Sequence, residues 1–85
     1  MASVTVTLMG KPGCHLCDEA REVVVDVLAD HPDIALEEVS LEDNPLWPDQ
    51  YGELIPVVFI DGVEHSHWRV DRSQLEDALA SATVR

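Results

Sequence analysis

The sequence predicts an α/β domain, with a mixed four-stranded sheet flanked by about three helices in the order βαβαββα. The hydrophobic period changes between two and about 3.6 along the chain, which is typical of alternating strands and helices. A strand–helix–strand beginning implies a right-handed crossover and a parallel pair of strands. Asp61-Gly62 is a strong hairpin signal, so an antiparallel pair is expected near the end of the sheet.

The first strand and the helix that follows it have the clearest patterns. Residues Ser3 to Met9 alternate and are rich in β-branched side chains, which predicts a strand that Lys11-Pro12-Gly13 ends. From Leu16 to Leu28 the apolar residues recur at helical spacing and form one face. The many valines of this segment are weak helix formers, so we expect packing against the sheet to hold the helix.

The second half of the chain is interpreted from the same signals. The predicted elements are a strand over Ile34–Ser40, one or two helical turns within Leu46–Tyr51, a buried strand over Ile55–Ile60, an edge strand over Val63–Arg69, and a final helix capped by Asp71. No linker divides the sequence, so residues 1–85 are expected to form one domain.

Composition and charge exclude several classes of function. The chain has 17 acidic and 5 basic residues and a net charge of -12, which argues against binding to nucleic acid or to an anionic membrane. No apolar run approaches the roughly 20 residues needed to span a bilayer. The first basic residue is Lys11, so the N-terminus lacks the charged region of a secretory signal. A cytoplasmic location is therefore expected.

The two cysteines of the chain, Cys14 and Cys17, form a C-x-x-C pair that follows a strand and opens a helix. This setting favours redox chemistry over a structural disulfide. Helix N-termini and C-x-x-C pairs lower a thiol pKa from about 8.5 to roughly 3.5–7.5, and only the thiolate attacks a disulfide. We expect Cys14, at the helix tip, to be the attacking thiolate and Cys17, on the buried side, to be the resolving thiol.

His15 lies between the cysteines and is a candidate for tuning their pKa. As an imidazolium it would favour a neighbouring thiolate, whereas as a neutral ring it is merely a polar residue at a helix tip; the sequence leaves both interpretations open. His65 and His67 lie two apart on a predicted strand, so they are expected to share a face and could complete a four-ligand metal site with the cysteines. A third alternative is an interaction module in which the cysteines are incidental.

Two motifs give the chain a resemblance to a known family. Lys11-x-x-Cys14-x-x-Cys17 and the segment from Ile55 to Gly62 resemble the glutaredoxin branch of the thioredoxin fold, and in particular the compact bacterial glutaredoxin-like proteins with the pattern Tyr51-Gly52-x-x-Ile55-Pro56-Val57. The resemblance implies a cis-proline at Pro56 that faces the cysteines. It also implies that the backbone of Ile55 pairs with the substrate and that Lys11 contacts a carboxylate of glutathione.

The chain departs from the glutaredoxin pattern at three sites. Leu54 stands where the family has a threonine two residues before the cis-proline. His15-Leu16 replaces the common Pro-Tyr, and Ser66-His67-Trp68-Arg69 replaces the glycine pair and acid that hold the γ-glutamyl end of glutathione. The expected function is that of a monomeric thiol-disulfide oxidoreductase that needs no bound cofactor. Protein disulfides or low-molecular-weight thiols are the expected partners; glutathione is the co-substrate considered, and is expected to be a poor one.

Overall fold

A computed structural model describes residues 4–83 and has the element order that the sequence predicts. Its elements are β1 (Thr5–Gly10), α1 (His15–Leu28), β2 (Ala35–Ser40), a 3-10 turn (Leu41–Asp43), α2 (Trp47–Tyr51), β3 (Val57–Ile60), β4 (Val63–His67) and α3 (Arg72–Thr83). The predicted mixed four-stranded sheet with three flanking helices is confirmed.

The sheet has the strand order β2-β1-β3-β4. β1 runs parallel to β2, with Thr5 opposite Ala35, and antiparallel to β3, with Val6 opposite Ile60. β3 and β4 form the antiparallel hairpin that Asp61-Gly62 predicts. β1 is therefore a central strand, and its carboxyl end delivers the chain to the cysteine pair.

Each of the four strands has a boundary that differs from the one expected. β2 begins at Ala35 rather than at Ile34. β1 begins at Thr5 and extends to Gly10, while Ser3 lies outside the described residues. β3 begins at Val57, because Pro56 has no N–H to give to a ladder. β4 ends at His67, because Trp68 has a φ of 66°, which a strand cannot continue.

The two faces of the sheet are covered by different helices. Val6, Leu8 and Val58 point to the face on which α1 and α3 pack, and they share one buried cluster with side chains of both helices. Met9 and Val57 point to the other face, where Trp47 and Tyr51 of α2 pack against a second cluster. The second cluster also contains Cys17, Leu41 and Ile55 and adjoins Cys14, so the cysteine pair lies at one end of the core.

α3 is fixed at its start and along its buried face. The Gln74 N–H donates to Asp71 Oδ1 at 2.9 Å, as the predicted cap requires. Leu75 and Leu79 are fully buried against the sheet, and Arg72 pairs with Asp26 of α1. Within residues 4–83, no helix has both the length and the apolar composition needed to cross a bilayer.

Candidate active site

Cys14 occupies the N-cap position of α1. The turn that brings it there includes Gly13 at a φ of 76°, and it is closed by the Cys14 N–H, which donates to the Lys11 carbonyl at 3.3 Å. Cys14 Sγ accepts the backbone N–H of Cys17 at 3.2 Å. The sulfur therefore takes the place of a capping oxygen, beside the unpaired N–H groups of the helix start, where negative charge is favoured.

Cys17 lies one turn further along α1 and is only 3% exposed. Burial, together with a hydrogen bond with Cys14, raises the pKa of the Cys17 thiol from 9.0 to about 11. Both cysteines are free thiols, and Cys14 is the more exposed of the two. This difference in exposure is the one expected from the sequence; the assignment of attacking and resolving roles stays a prediction.

Gly10 makes room for Cys17, and this role was not anticipated from the sequence. A Cβ on Gly10 would lie 2.9 Å from Cys17 Sγ, which is closer than such atoms approach, and 3.1 Å from Cys17 Cβ, which is a tight contact. The end of β1 can therefore pass directly against the sulfur only where a side chain is missing. The available signal was a glycine that closes a strand of larger residues immediately before the motif.

The segment with Pro56 lies beside the cysteine pair. The Ile55–Pro56 peptide bond is cis, as the family resemblance implies. Ile55 and Val57 belong to the buried cluster against which Cys14 packs. The Ile55 N–H donates to the Tyr51 carbonyl at 3.2 Å, so a pairing of Ile55 with a substrate would use the Ile55 carbonyl.

Lys11 and His15 flank the pair on the outside. Lys11 is exposed and borders a cleft of about 380 Å³ that Cys17 also lines, together with Arg21 and Glu38. Arg21 donates to Glu38 at 2.6 Å and to Asp18 at 3.1 Å across this cleft. His15 is 89% exposed, and its Nε2 lies 3.6 Å from Glu19 Oε2. Among residues 4–83, the carboxylate of Glu19 is therefore the charged group that pairs with His15.

The two histidines of β4 do not join the cysteines. Among residues 4–83, no three His, Cys, Asp or Glu side chains lie together in a way that could hold a metal ion. β4 has a bulge between the pairs Val58–Ser66 and Phe59–Glu64. The bulge leaves His65 without a partner in the register of β3, and His67 Nδ1 lies 3.2 Å from Glu64 Oε2. The four-ligand alternative is therefore wrong.

The fold and the cysteine pair at the start of α1 define a glutaredoxin-like member of the thioredoxin superfamily. The family model described as "Glutaredoxin-like domain (DUF836)" matches residues 5–80, and the chain belongs to this family. The family resemblance carried by the two sequence motifs is confirmed.

Similar proteins and structures agree with this assignment. Uncharacterized proteins of Mycobacterium tuberculosis and Mycobacterium bovis are 30% identical over 87 residues, which cover 98% of this chain and 90% of theirs. A structural genomics target from X. campestris is 30% identical, with a TM-score of 0.65 over 89% of this chain and 96% of its own. Protein Ne2328 from Nitrosomonas europaea shares the fold at 21% identity, with a TM-score of 0.77 over 92% and 93% of the two chains. A mutant thioredoxin from Halobacterium salinarum shares it at 23% identity, with a TM-score of 0.69 over 98% and 77%.

Proposed function

We propose that the protein is a thiol-disulfide oxidoreductase that uses Cys14 and Cys17 as a dithiol/disulfide couple. The observation that carries this proposal is the arrangement of the pair. Cys14 Sγ takes the N-cap position of α1 and accepts the Cys17 N–H, while Cys17 lies buried directly behind it. A partly exposed sulfur at a helix start and a protected second thiol are what a two-step exchange requires.

In the proposed reaction the Cys14 thiolate attacks one sulfur of a substrate disulfide. The substrate S–S bond breaks, one substrate thiolate leaves and takes up a proton, and a mixed disulfide forms on Cys14. The Cys17 thiolate then attacks Cys14 Sγ, which releases the second substrate thiol and forms the Cys14–Cys17 disulfide. The substrate gains two electrons and two protons, the protein loses them, and an external thiol or dithiol reduces the protein again.

The surroundings of Cys17 suggest how the second step is timed. Besides burial, the hydrogen bond with Cys14 and the charge of Cys14 both raise the pKa of Cys17. Formation of the mixed disulfide removes the Cys14 charge, so the pKa of Cys17 falls at the moment when Cys17 must become a thiolate. Cys17 is thus kept protonated before the substrate binds and becomes easier to ionise afterwards.

His15 remains part of the proposal as a residue that favours the Cys14 thiolate in its charged form. Its Nε2 lies 3.6 Å from Glu19 Oε2. A His15→Gln variant is expected to alkylate more slowly at Cys14 at mildly acidic pH and equally fast at alkaline pH. Equal rates across the whole pH range would reduce His15 to an exposed polar residue.

The proposed partners are protein disulfides or low-molecular-weight thiols in the cytoplasm, with no bound cofactor and with the chain acting as a monomer. Glutathione is proposed to be a poor co-substrate. Lys11 is retained for one carboxylate, but Ser66, His67 and Trp68 replace the residues that hold the γ-glutamyl end in the resembled family. Loss of one charge-assisted anchor costs about 1.5–3 kcal/mol, or roughly 10–100-fold in affinity.

The test compares two serine variants in disulfide reduction and in trapping of mixed disulfides. Cys14→Ser should abolish exchange, whereas Cys17→Ser should form mixed disulfides and fail to release them. Equal trapping by the two variants would overturn the assignment of roles. A chain with both cysteines that neither reduces a small disulfide nor forms its own Cys14–Cys17 disulfide in a redox buffer would overturn the function.

A further inference from the structure

Trp68 is a bulky residue in a backbone conformation that side chains rarely adopt. Its φ is 66°, in the left-handed region that favours glycine. Three hydrogen bonds hold it there. The Trp68 backbone N–H donates to the carbonyls of Pro56 at 2.9 Å and Leu54 at 3.2 Å, and the indole N–H donates to the Glu53 carbonyl at 2.6 Å. Strained residues that are held in this way concentrate at functional sites, which directs attention to the Trp68 ring.

The ring forms one wall of an opening beside the cysteine pair. A pocket of about 230 Å³ separates Trp68 from α1, and Leu16, Ala20, Val23 and Val70 supply most of its other walls. Leu16 lies between the two cysteines in sequence, so one wall of the pocket comes from the first turn of α1, which also carries the cysteine pair. Leu16 and Trp68 are 37% and 53% exposed, although both are large apolar side chains that are normally covered.

Arg69 gives the rim of this pocket a positive charge, which is rare in this acidic protein. Arg21 and Arg72 are neutralised by carboxylates at other places on the surface. Arg69 lines the pocket and forms no ion pair with any residue in the described range 4–83. Glu19, on the same rim, lies beside His15. In a chain with a net charge of -12, an unpaired guanidinium here complements a carboxylate on an incoming partner.

We propose that this pocket is the specificity site of the dithiol: it takes an apolar side chain next to the substrate cysteine, and Arg69 binds a carboxylate beside that side chain. The inference rests on the proposed function and names its substrate class, a protein disulfide flanked by an apolar and an acidic residue. Trp68 is then a specificity-determining residue. Glycine would adopt its backbone conformation without strain, but it would not supply the ring that forms one wall of the pocket.

The experiment uses four peptides, each with its one cysteine in a mixed disulfide with thionitrobenzoate. In each peptide the cysteine is flanked on both sides by the same residue, either Leu or Ser. The next residue outward on both sides is either Glu or Lys. The full chain should favour Leu over Ser by about tenfold or more in kcat/KM, chiefly through KM. It should favour Glu over Lys at low ionic strength, and this preference should weaken at 0.5 M NaCl.

Two variants separate the contributions. Trp68→Gly suits the backbone conformation and removes the ring, so it should fold and lose the preference for Leu while keeping the preference for Glu. Arg69→Gln should do the reverse. Val63→Ser, at an exposed apolar residue of β4 outside the pocket, is the matched control and should change neither preference.

The outcomes distinguish the two proposals. Equal rates for all four peptides, or a Trp68→Gly variant that slows all four by the same factor, would overturn the specificity site and leave the oxidoreductase standing. No exchange with any peptide and none with a small disulfide would overturn the proposed function, and the specificity site with it.

Discussion

Cys14 and Cys17 differ in surroundings although they are three residues apart. Cys14 occupies the N-cap position of α1 and accepts a hydrogen bond from a backbone N–H. Cys17 lies on the buried side of the helix and packs against the end of β1. One sulfur is therefore partly exposed at the start of a helix, and the other is buried with a raised pKa. This inequality is what allows two identical side chains to take different parts in one exchange reaction.

The raised pKa of Cys17 makes the stability of the reduced protein depend on alkaline pH. The folded state binds the Cys17 proton more tightly than the unfolded state, with pKa values of about 11 and 9.0. The resulting stabilisation is fully present below pH 9 and is lost as the pH rises through 11. We expect the free energy of unfolding to fall by about 2–3 kcal/mol across this window, measured by urea unfolding at a series of pH values.

Cys17→Ala is the control for the pH dependence. Groups that titrate in both proteins cancel in the comparison, so the variant should show a shallower loss of stability between pH 9 and 11. Parallel curves for the two proteins would contradict the burial of a protonated Cys17.

Gly10→Ala should push Cys17 out of place. The new methyl group would lie 2.9 Å from the sulfur, and overpacking of this kind costs about 1–3 kcal/mol. We also expect slower release of mixed disulfides, since Cys17 would no longer be directly behind Cys14. A double-mutant cycle measured by urea unfolding checks the contact, because Gly10→Ala should cost less when Cys17 is already Ala. Additive costs would show that the two residues do not touch.

At the scale of elements, helix ends and packing position the site. α1 contains four valines, Val23, Val24, Val25 and Val27, which are poor helix formers, and Val24 and Val27 are fully buried in the main core cluster. Tertiary packing therefore holds the helix whose first turn carries the cysteines. α3 shares this cluster through Leu75 and Leu79, so it supports α1 from beside it.

The N-cap of α3 gives a prediction at this scale. Asp71→Ala removes the acceptor of the Gln74 N–H and should lower the free energy of unfolding by about 1 kcal/mol. Asp71→Ser, which keeps a capping oxygen, should recover most of the loss. Both proteins are compared by urea unfolding, and disulfide exchange should stay unchanged because the cap touches neither cysteine. A loss in Asp71→Ser as large as that in Asp71→Ala would show that the hydrogen bond is not the stabilising contact.

At the scale of the whole molecule, charge is the dominant feature. The chain has 17 acidic residues against 5 basic ones, and the ion pairs of the described residues neutralise only part of this excess. Mutual repulsion of the remaining carboxylates opposes folding. Binding partners with a negative surface are repelled for the same reason. The positive charge at Arg69 should therefore favour the orientation in which a carboxylate of the partner faces the pocket.

Added salt should therefore stabilise the protein. Screening shortens the range of repulsion from about 30 Å at 0.01 M to well under 10 Å above 0.1 M. We expect the Tm to rise by several degrees between 0.01 and 0.5 M NaCl, since about 1 kcal/mol corresponds to about 4–8 °C for a domain of this size. A triple variant with Glu22→Gln, Asp30→Asn and Asp33→Asn, at exposed acids without ion pairs, should respond less. A Tm that falls with salt would mean that ion pairs outweigh the repulsion.

The order of elements and the position of the cysteine pair were predictable from the sequence, because both depend on local patterns. The hydrophobic period identifies each strand and helix, Asp61-Gly62 identifies the hairpin, and a C-x-x-C pair between a strand and a helix implies a helix N-terminus beside a sulfur. Neighbouring residues alone determine these features. These local patterns were sufficient to predict the fold class and to identify Cys14 and Cys17 as the centre of the candidate site.

Contacts between distant residues were decided only by the tertiary structure. Gly10 lies against Cys17, the Trp68 indole binds the Glu53 carbonyl, and Arg72 pairs with Asp26, none of which a local pattern contains. The bulge in β4, which leaves His65 without a partner in the register of β3, is likewise absent from any local pattern. The physical reason is that side-chain neighbours across the core depend on strand register and on helix packing, which are properties of the assembled elements rather than of any one of them.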